Sequence, residues 1–369
     1  QREIQEIDWE VSEAEKSGYD HFMYKEILEQ SEVIERTLSG RLEASSDEIP
    51  IKLDKASKFE KIWIIACGTA YHAGLFGKDL FEKVLGVPVS VELASEFRYR
   101  EPIVGKNDLG IVISQSGETM DTIAATELLK ENGSHVLALV NVVGSSLARM
   151  ADCIFYLHVG PEIGVASTKA YLGMLVSQLV IAKHWDGENK LDVSFDEIAE
   201  LPNLIDQTMA CEGQIKEISE KIYKKNDIYF IGRGLDYALA AEGALKLKEI
   251  SYLHAEALAA GELKHGTLAL IEKGTPVIVT ASQNHLLDKT TSNVQEVIAR
   301  GAYVIAIGDS ESEKLENISN DYVTLPDSNE ILTTVISIIP LQFIAYHVAN
   351  KNGQSIDQPR NLAKSVTVE

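Results

Sequence analysis

The chain has 369 residues, 45% of them hydrophobic and 24% charged, which is the composition of a globular protein long enough for two or three packed units. Its formal net charge is -22 at pH 7. A surface so acidic repels nucleic acid and anionic membranes, so we expect neither as a partner and favour a small-molecule substrate.

Three cysteines, Cys67, Cys153 and Cys211, lie far apart and show no CxxC spacing. Cys67 and Cys153 stand in apolar runs typical of strands. The pattern predicts buried, reduced thiols in a cytoplasmic protein, rather than a metal site or a nucleophile. The opening residues are charged throughout, which predicts that no signal peptide is present.

Residues 1–50 are acidic and have helical spacing, and "SSDEIP" (45–50) marks a junction. We expect this segment to be a linker and a helical arm packed on the core. A strand, turn and helix follow at "KIWIIA" (61–66), "CGTA" and residues 71–86. Further apolar runs predict strands at 108–114, 135–141 and 153–159, with helices between or after them.

The same order returns in the second half. Residues 227–250 contain an apolar run, a glycine turn and a long helix, and strands are predicted at 275–281, 302–308 and 321–325. Val112 and Ile278 are 166 residues apart, close to the 164 between Gly68 and Gly232, which indicates a duplication. The predicted fold class is α/β, with two tandem doubly wound parallel sheets, each a flavodoxin-like three-layer sandwich, at 51–195 and 196–350.

Residues 333–349 are the most apolar late stretch, but they contain Pro340, Gln342 and His347. The stretch is shorter than the roughly 20 residues of a membrane span, so we predict a buried helix. Residues 351–369 follow it as a separate tail, in which Pro359 argues against continued helix.

The segment "SQSGETMDT" (114–122) lies at the end of a predicted strand and opens a helix. Ligands of open parallel sheets bind beyond the carboxyl ends of strands, where hydroxyl groups and helix N-H groups can hold a phosphate. Ser116 or Thr119 could instead be a simple helix cap, and the local pattern leaves both interpretations open. Neither a Walker loop nor a full GxGxxG motif is present, so we expect no nucleotide or nicotinamide cofactor and no metal ion.

Five ordered motifs carry a family resemblance: "ACGTAYHAG", "SQSGETMDT", "GPEIGVASTKAY", "GALKLKEISYLHAEALAAGELKHG" and "DQPRNLAKSVTVE". Together they resemble the isomerase half of the glutamine-fructose-6-phosphate aminotransferase (glucosamine-6-phosphate synthase) family, over about residues 20–369. "SQSGET" alone would indicate only the wider family of sugar isomerase (SIS) domains. The resemblance implies two tandem SIS domains in a homodimer. It also implies a glutaminase domain with an N-terminal catalytic cysteine, whereas this chain begins with Gln1 and has no cysteine before Cys67.

The implied reaction starts from fructose 6-phosphate, moves a proton from C1 to C2, and gives glucosamine 6-phosphate when ammonia is supplied. Without ammonia the expected reaction is exchange with glucose 6-phosphate. Glu249 follows Lys246 by three residues and Glu242 by seven, so the three share one helix face. The residues alone indicate a solvated face. The resemblance implies that Glu249 carries the proton and that Lys246 assists it.

Two further catalytic roles rest on the resemblance. His265 stands beside a glycine, and an imidazole suits acid-base opening of the sugar ring. In the family this residue reaches the active site of the other subunit. Lys364, in the tail, is implied to form a Schiff base with C2 while the tail covers the sugar as a lid.

The remaining implied residues contact the substrate. The phosphate is assigned to Ser114, Gln115, Ser116 and Thr119, and the sugar to Thr69, Val165, Ser167 and Ala363. The family usually has serine where this chain has Ala70, so a hydrogen bond of roughly 0.5–1.5 kcal/mol is missing or replaced.

Two other functions stay open at this point. A sugar-phosphate sensor needs "SQSGET" but not Glu249, His265 and Lys364 in their motifs. A relative that deaminates an amino-sugar phosphate uses the same fold, and only the resemblance of the tail favours the synthase.

Overall fold

A computed structural model describes residues 15–43 and 45–367; the first part of the predicted arm, residues 1–14, lies outside them. Within the described residues, ten strands form two five-stranded sheets in which every pairing is parallel. The strands are β1 (Lys61–Ala66), β2 (Val89–Leu93), β3 (Asp108–Ser114), β4 (His135–Val140), β5 (Cys153–Tyr156), β6 (Asp227–Gly232), β7 (His254–Ala259), β8 (Pro276–Ala281), β9 (Tyr303–Gly308) and β10 (Asp321–Thr324).

The two sheets have the same strand order. The first is β2-β1-β3-β4-β5, and the second, β10-β9-β8-β6-β7, is the same sequence of strands written from the other edge. This confirms the predicted α/β fold of two doubly wound parallel sheets. The boundaries at 50/51, 195/196 and 350/351 remain predictions.

Helices cover the sheets and connect the strands. They are α1 (Phe22–Leu28), α2 (Gln30–Leu38), α3 (Leu53–Ala56), α4 (Gly68–Leu85), α5 (Ala94–Phe97), α6 (Met120–Glu131), α7 (Ser146–Met150), α8 (Lys169–Trp185), α9 (Phe195–Ala199), α10 (Leu201–Met209), α11 (Glu212–Ile222), α12 (Leu235–Ser251), α13 (Leu287–Ile298), α14 (Glu313–Glu316), α15 (Glu330–Ile336) and α16 (Ile338–Lys351).

All eight strands expected from apolar runs are present, but β2 and β7 were not predicted. Both pair with a neighbour on one side only, since β2 is an edge of the first sheet and β7 an edge of the second. Polar residues interrupt both segments, Ser90 and Glu92 in β2 and Glu256 in β7, so neither strand has the continuous apolar run that marks a central parallel strand. β5 also ends earlier than expected, at Tyr156 rather than at 159.

One large apolar core joins the two halves. It contains side chains from the inner faces of both sheets, while smaller clusters cover the outer face of each sheet. Helix α12 of the second half packs against α4 of the first half and against α16. The described part of the arm belongs to the same core, because α1 and α2 bury Met23, Ile27, Val33 and Ile34 in it. The described part of the arm is therefore helical and packed on the core.

The late apolar stretch is buried. Residues Glu330–Lys351 are long and apolar enough to cross a membrane by length and composition, yet 94% of the most apolar window is buried inside the fold. A core helix of a globular domain has the same properties. The helix breaks at Ser337, between α15 and α16, because Pro340 cannot donate a backbone hydrogen bond to the preceding turn.

A tight turn between β3 and α6 shapes the hydroxyl-rich segment. Gly117 has a φ of 66°, and a Cβ placed on it would lie 2.1 Å from Ser145 Oγ. Its N-H donates to Ser114 Oγ at 3.0 Å, and its carbonyl accepts from Leu147 N at 3.1 Å. Only glycine combines this backbone conformation with so close a neighbour.

We predict that Gly117→Ala destabilises the chain more than Gly86→Ala does. Gly86 has a similar φ of 68°, but nothing lies within 4 Å of its Cβ position. The control should cost about 1 kcal/mol from backbone strain, and Gly117→Ala about 1–3 kcal/mol more from the clash. Urea unfolding measures both, and equal losses would contradict the assignment of Gly117 as a sterically closed position.

Candidate active site

A cavity of about 310 Å³ lies beyond the carboxyl ends of β1 and β3. Its walls come from the turn after β1, the hydroxyl-rich segment after β3, the loop before α8, helix α12 and the C-terminal tail. Nine of the twelve residues predicted from the sequence line it: Thr69, Ser114, Gln115, Ser116, Thr119, Val165, Ser167, Lys246 and Lys364. Residues more than 290 positions apart in the sequence therefore meet at one site.

The other three predicted residues lie outside this lining. Glu249 is one turn beyond Lys246 on α12 and is half-buried. Ala363 precedes Lys364 in the tail and is exposed. His265 ends a short 3-10 helix, Ala260–His265, and its side chain is exposed to solvent away from the cavity.

The hydroxyl groups of "SQSGET" hold the turn but do not cap the helix that follows. Ser114 Oγ accepts from Gly117 N at 3.0 Å and lies 3.2 Å from Thr119 Oγ1, while Ser116 Oγ accepts from Glu118 N at 3.2 Å. Thr119 occupies the N-cap position of α6, but its side chain accepts no hydrogen bond from the helix. The hydroxyls therefore do not act as ordinary helix caps, and they face the cavity together with the positive end of α6.

The tail lies across this turn. Ser365 Oγ is 3.0 Å from Ser116 Oγ, and Met120 N at the start of α6 donates to the carbonyl of Val366 at 3.3 Å. Ser365 and Val366 also line the cavity. Reasoning from the sequence missed both residues, because a serine and a valine in a polar tail carry no pattern that locates them.

A buried ion network on α12 forms the opposite wall. Lys246 Nζ lies 3.2 Å from Glu242 Oε1, 2.6 Å from Glu249 Oε2 and 3.0 Å from Thr69 Oγ1. Lys248 is exposed on the other side of the helix. The predicted shared face of the three charged residues is thus confirmed.

This network keeps Lys246 charged. Burial favours the neutral amine, but Glu242 and Glu249 outweigh burial and raise the pKa of Lys246. Thr69 Oγ1 donates to Glu242 at 2.9 Å, and His72 Nδ1 lies 2.8 Å from the other oxygen of Glu242. Lys246 therefore acts as a fixed cation beside Glu249 rather than as a base.

Glu162, which the sequence did not single out, pairs with Lys364. Its side chain is fully buried, and it accepts hydrogen bonds from Ser167 Oγ and from the backbone of Thr168 and Ala170. Burial opposes its ionisation, but Lys364 and these backbone groups outweigh burial and lower the pKa of Glu162 to about 2. An acidic residue inside the apolar motif "GPEIGVASTKAY" was the only available indication.

Ala70 and Cys67 also line the cavity. Ala70 presents only a methyl group at the position where a serine hydroxyl was expected from the family. The three cysteines are free, but they are half-buried rather than buried as predicted. Burial raises the pKa of all three thiols, to about 11 for Cys153 and about 12 for Cys211, so they are unreactive near neutral pH.

At the corresponding strand end in the second half, the chain itself occupies the hydrogen-bonding groups. The buried carboxylate of Asp236 accepts from Ser282 N at 3.0 Å and from Ser282 Oγ at 2.7 Å, beyond β8. Burial raises the pKa of Asp236 to about 6, against the effect of these hydrogen bonds. The N-H and hydroxyl of Ser282, which could bind the anion of a ligand, already bind the carboxylate of Asp236.

A second carboxylate lies under the Glu162 loop. Glu26, on α1, accepts from Ile163 N at 2.5 Å and Gly164 N at 3.2 Å. Burial, followed by repulsion from Glu162, raises the pKa of Glu26 to about 7, although Lys364 and Lys169 act in the opposite direction. From pH 4.5 to 7 the folded chain keeps a proton that the unfolded chain has lost, so this group makes folding less favourable as the pH rises.

We predict that Glu26→Gln removes this pH dependence. Relative to the wild type, the variant should gain about 3 kcal/mol of stability between pH 4 and pH 8, since Gln does not titrate. Urea unfolding of both chains across this range gives the difference. Parallel stability curves would contradict a raised pKa at Glu26.

Comparison with known proteins shows the family to which this sequence belongs. The model of the SIS domain family matches residues 56–183 and 221–350. Glutamine-fructose-6-phosphate aminotransferase of Clostridium tetani is 48% identical over 100% of this chain, and that of Caldanaerobacter subterraneus subsp. tengcongensis is 49% identical over 99%. The chain spans 62% of the length of either relative.

Two solved structures show the same fold. The C-terminal domain of glucosamine-fructose-6-phosphate aminotransferase from Francisella tularensis is 40% identical, with a TM-score of 0.87 over 93% of this chain and 100% of its own. A glucosamine-6-phosphate deaminase from Thermotoga maritima is 22% identical, with a TM-score of 0.73 over 94% of this chain and 99% of its own, a likeness of fold alone. The chain belongs to the SIS domain family, as two tandem repeats with the fold of that aminotransferase C-terminal domain.

Proposed function

We propose that the chain is the isomerase part of a glutamine-fructose-6-phosphate transaminase (isomerizing). It binds fructose 6-phosphate and moves a proton from C1 to C2, giving glucosamine 6-phosphate when a glutaminase domain supplies ammonia, and exchanging with glucose 6-phosphate otherwise. The observation that carries this proposal is the meeting of the hydroxyl turn, Lys246 and Lys364 in one cavity. The names of the relatives that match the whole chain support the same substrate.

The phosphate is assigned to the turn after β3, with Gln115 completing the set. The hydroxyls of Ser114, Ser116 and Thr119 and the N-terminus of α6 supply hydrogen bonds and a partial positive charge without a basic side chain. Such a cradle suits a group that is held but does not react. Thr69, Val165, Ser167 and Ala363 are proposed to lie along the sugar.

The proton transfer is assigned to Glu249. A carboxylate that takes a proton from C1 and returns it at C2 must stay near both carbons and keep its charge until the sugar arrives. Lys246, 2.6 Å away and itself fixed by Glu242, provides that charge balance. Lys364 is proposed to form the Schiff base: its amine bonds to C2, the carbonyl oxygen leaves as water, and the resulting iminium makes the C1 proton more acidic.

We further propose a homodimer, because His265 is exposed and away from the cavity of its own chain. In the dimer it would open the sugar ring in the partner's site, as the family resemblance implies. A net charge of -22 and free cysteines support a cytoplasmic location without nucleic acid or membrane as a partner. Glucosamine 6-phosphate would serve the synthesis of amino sugars such as UDP-N-acetylglucosamine.

We predict that Glu249→Gln lowers kcat for exchange of fructose 6-phosphate with glucose 6-phosphate by about 10²–10⁴-fold, because an amide cannot carry the proton. The affinity for fructose 6-phosphate, measured by calorimetry, should stay within about threefold, because the phosphate contacts remain. Lys248→Gln is the matched control, since Lys248 is exposed on the same helix.

Binding and activity assays of the wild-type chain distinguish the proposed isomerase from a sensor and from a deaminase. Binding of the sugar phosphate without turnover would favour a sensor, and release of ammonia from glucosamine 6-phosphate faster than isomerisation would favour a deaminase. Unchanged kcat in Glu249→Gln would remove Glu249 from the mechanism while leaving the substrate assignment in place.

We also predict that borohydride traps fructose 6-phosphate on Lys364. Hydride reduces the C=N bond to a stable secondary amine, and mass spectrometry of the tail peptide should show one added sugar phosphate. Lys364→Met should show no adduct. A wild-type chain that isomerises the sugar without forming an adduct would exclude the Schiff base.

A further inference from the structure

Glu162 divides its two carboxylate oxygens between different tasks. Oε1 accepts from Thr168 N at 2.9 Å and from Ala170 N at 3.0 Å, so it fixes the backbone where α8 begins. Oε2 accepts from Ser167 Oγ at 2.8 Å and from the ammonium of Lys364. Oε1 therefore stabilises the backbone at the start of α8, and Oε2 binds Ser167 and Lys364, two side chains that line the cavity.

Two lysines lie near this loop, and Lys364 is the one that pairs with Glu162, because Lys169 pairs with Glu29. Lys169, the next residue after the Thr168 contact, is buried and lies 2.8 Å from Glu29 on the arm. Glu26 adds a second carboxylate beneath the same loop and holds it through Ile163 N and Gly164 N. A buried carboxylate without a counter-charge is strongly unfavourable. The ion pair with Glu162 therefore stabilises the position in which the Lys364 amine lies at the cavity.

The rest of the tail restrains the backbone near Lys364 but not its amine. Four residues earlier, Arg360 N donates to Tyr252 Oη at 2.9 Å, and the guanidinium lies 4.2 Å from the Tyr252 ring centre. Residues 360–363 before it and residues 366 and 367 after it are exposed. Beyond Lys364, the tail reaches the cavity through the Ser365 contact with Ser116 and the carbonyl of Val366. The lysine side chain is long and flexible, so these contacts alone leave its amine free to sample many positions.

We propose that Glu162 is the positioning residue for Lys364, and that it holds both the amine and the C-terminal tail at the cavity through Oε2. This inference rests on the proposed function for its kinetic consequence, but not for the contact itself. A buried carboxylate fixes the direction of the amine, which the exposed residues of the tail cannot do, and reactions at a carbon atom are sensitive to such placement.

Glu162→Gln tests the proposal because it changes mainly one oxygen. The amide carbonyl can still accept from Thr168 N and Ala170 N, while the amide nitrogen replaces the oxygen that binds Lys364. We expect kcat for isomerisation to fall by about 10–100-fold, with KM for fructose 6-phosphate changed by less than about threefold. The kcat of the double variant Glu162→Gln/Lys364→Met should be no lower than that of Lys364→Met, since Glu162 is proposed to affect kcat through that lysine, and its contact with Ser167 Oγ concerns substrate binding and KM. Additive losses would overturn the proposal.

Trypsin gives a test that does not depend on catalysis. Trypsin cleaves after Lys364 only when the lysine side chain is free. Cleavage after Arg360 is the internal control, because Tyr252 holds Arg360 independently of Glu162. In Glu162→Gln, the initial rate of cleavage after Lys364 relative to that after Arg360 should rise at least about tenfold. An unchanged ratio would show that Glu162 does not hold the lysine. If the wild-type chain fails to isomerise the sugar, the proposed function fails, while this ratio still decides the role of Glu162.

Thermal unfolding covers the case in which Glu162→Gln folds poorly. Lys364→Met leaves Glu162 buried without a counter-charge and should lower the Tm, and Glu162→Gln in the same chain should restore part of that loss. Glu29→Gln is the control, because it removes a carboxylate from a different buried lysine, Lys169. It should leave the trypsin ratio unchanged. A Tm of the double variant below that of Lys364→Met would count against the pair.

Discussion

The buried ammonium of Lys246 is the constraint on which the site depends. A lysine in the interior stays charged only if opposite charges compensate the loss of water, and Glu242 and Glu249 do so from the same helix. Thr69 completes the set from the other half of the molecule, since it contacts both Lys246 and Glu242. The charged wall of the cavity therefore requires that α12 and the start of α4 stay packed together.

The cavity separates neutral hydrogen-bonding groups from charged ones. The turn after β3 presents hydroxyls and a helix N-terminus without a basic side chain, whereas Lys246 and Lys364 approach from α12 and from the tail. Each lysine is matched with a buried or half-buried carboxylate, Glu249 for the first and Glu162 for the second. Because each ammonium is paired with a carboxylate, the two lysines can lie at one small cavity in spite of their like charges.

Duplication produced two similar sheets whose corresponding strand ends differ in their hydrogen-bonding groups. In the first half, the turn after β3 is open towards the α12 wall and the tail. In the second half, Asp236 occupies the backbone N-H and the hydroxyl of Ser282 beyond β8. The second half instead contributes α12, whose face carries the charged groups. The arm adds a further layer, since Glu26 supports the loop that carries Glu162.

The family resemblance, rather than any local pattern, located most of the cavity lining. The sequence by itself determined the central strands, the duplication, the tight turn after β3 and the shared face of α12. Those features have local causes: continuous apolar runs for strands buried on both faces, a glycine where only glycine fits, and a helical spacing that puts Glu242, Lys246 and Glu249 on one face. Tertiary structure alone decided the edge strands β2 and β7, because polar residues interrupt both segments and leave no continuous apolar pattern. It also decided the partners of Lys364, because a contact between residues 162 and 364 depends on how the tail folds back over the first sheet, and no local pattern encodes that distance.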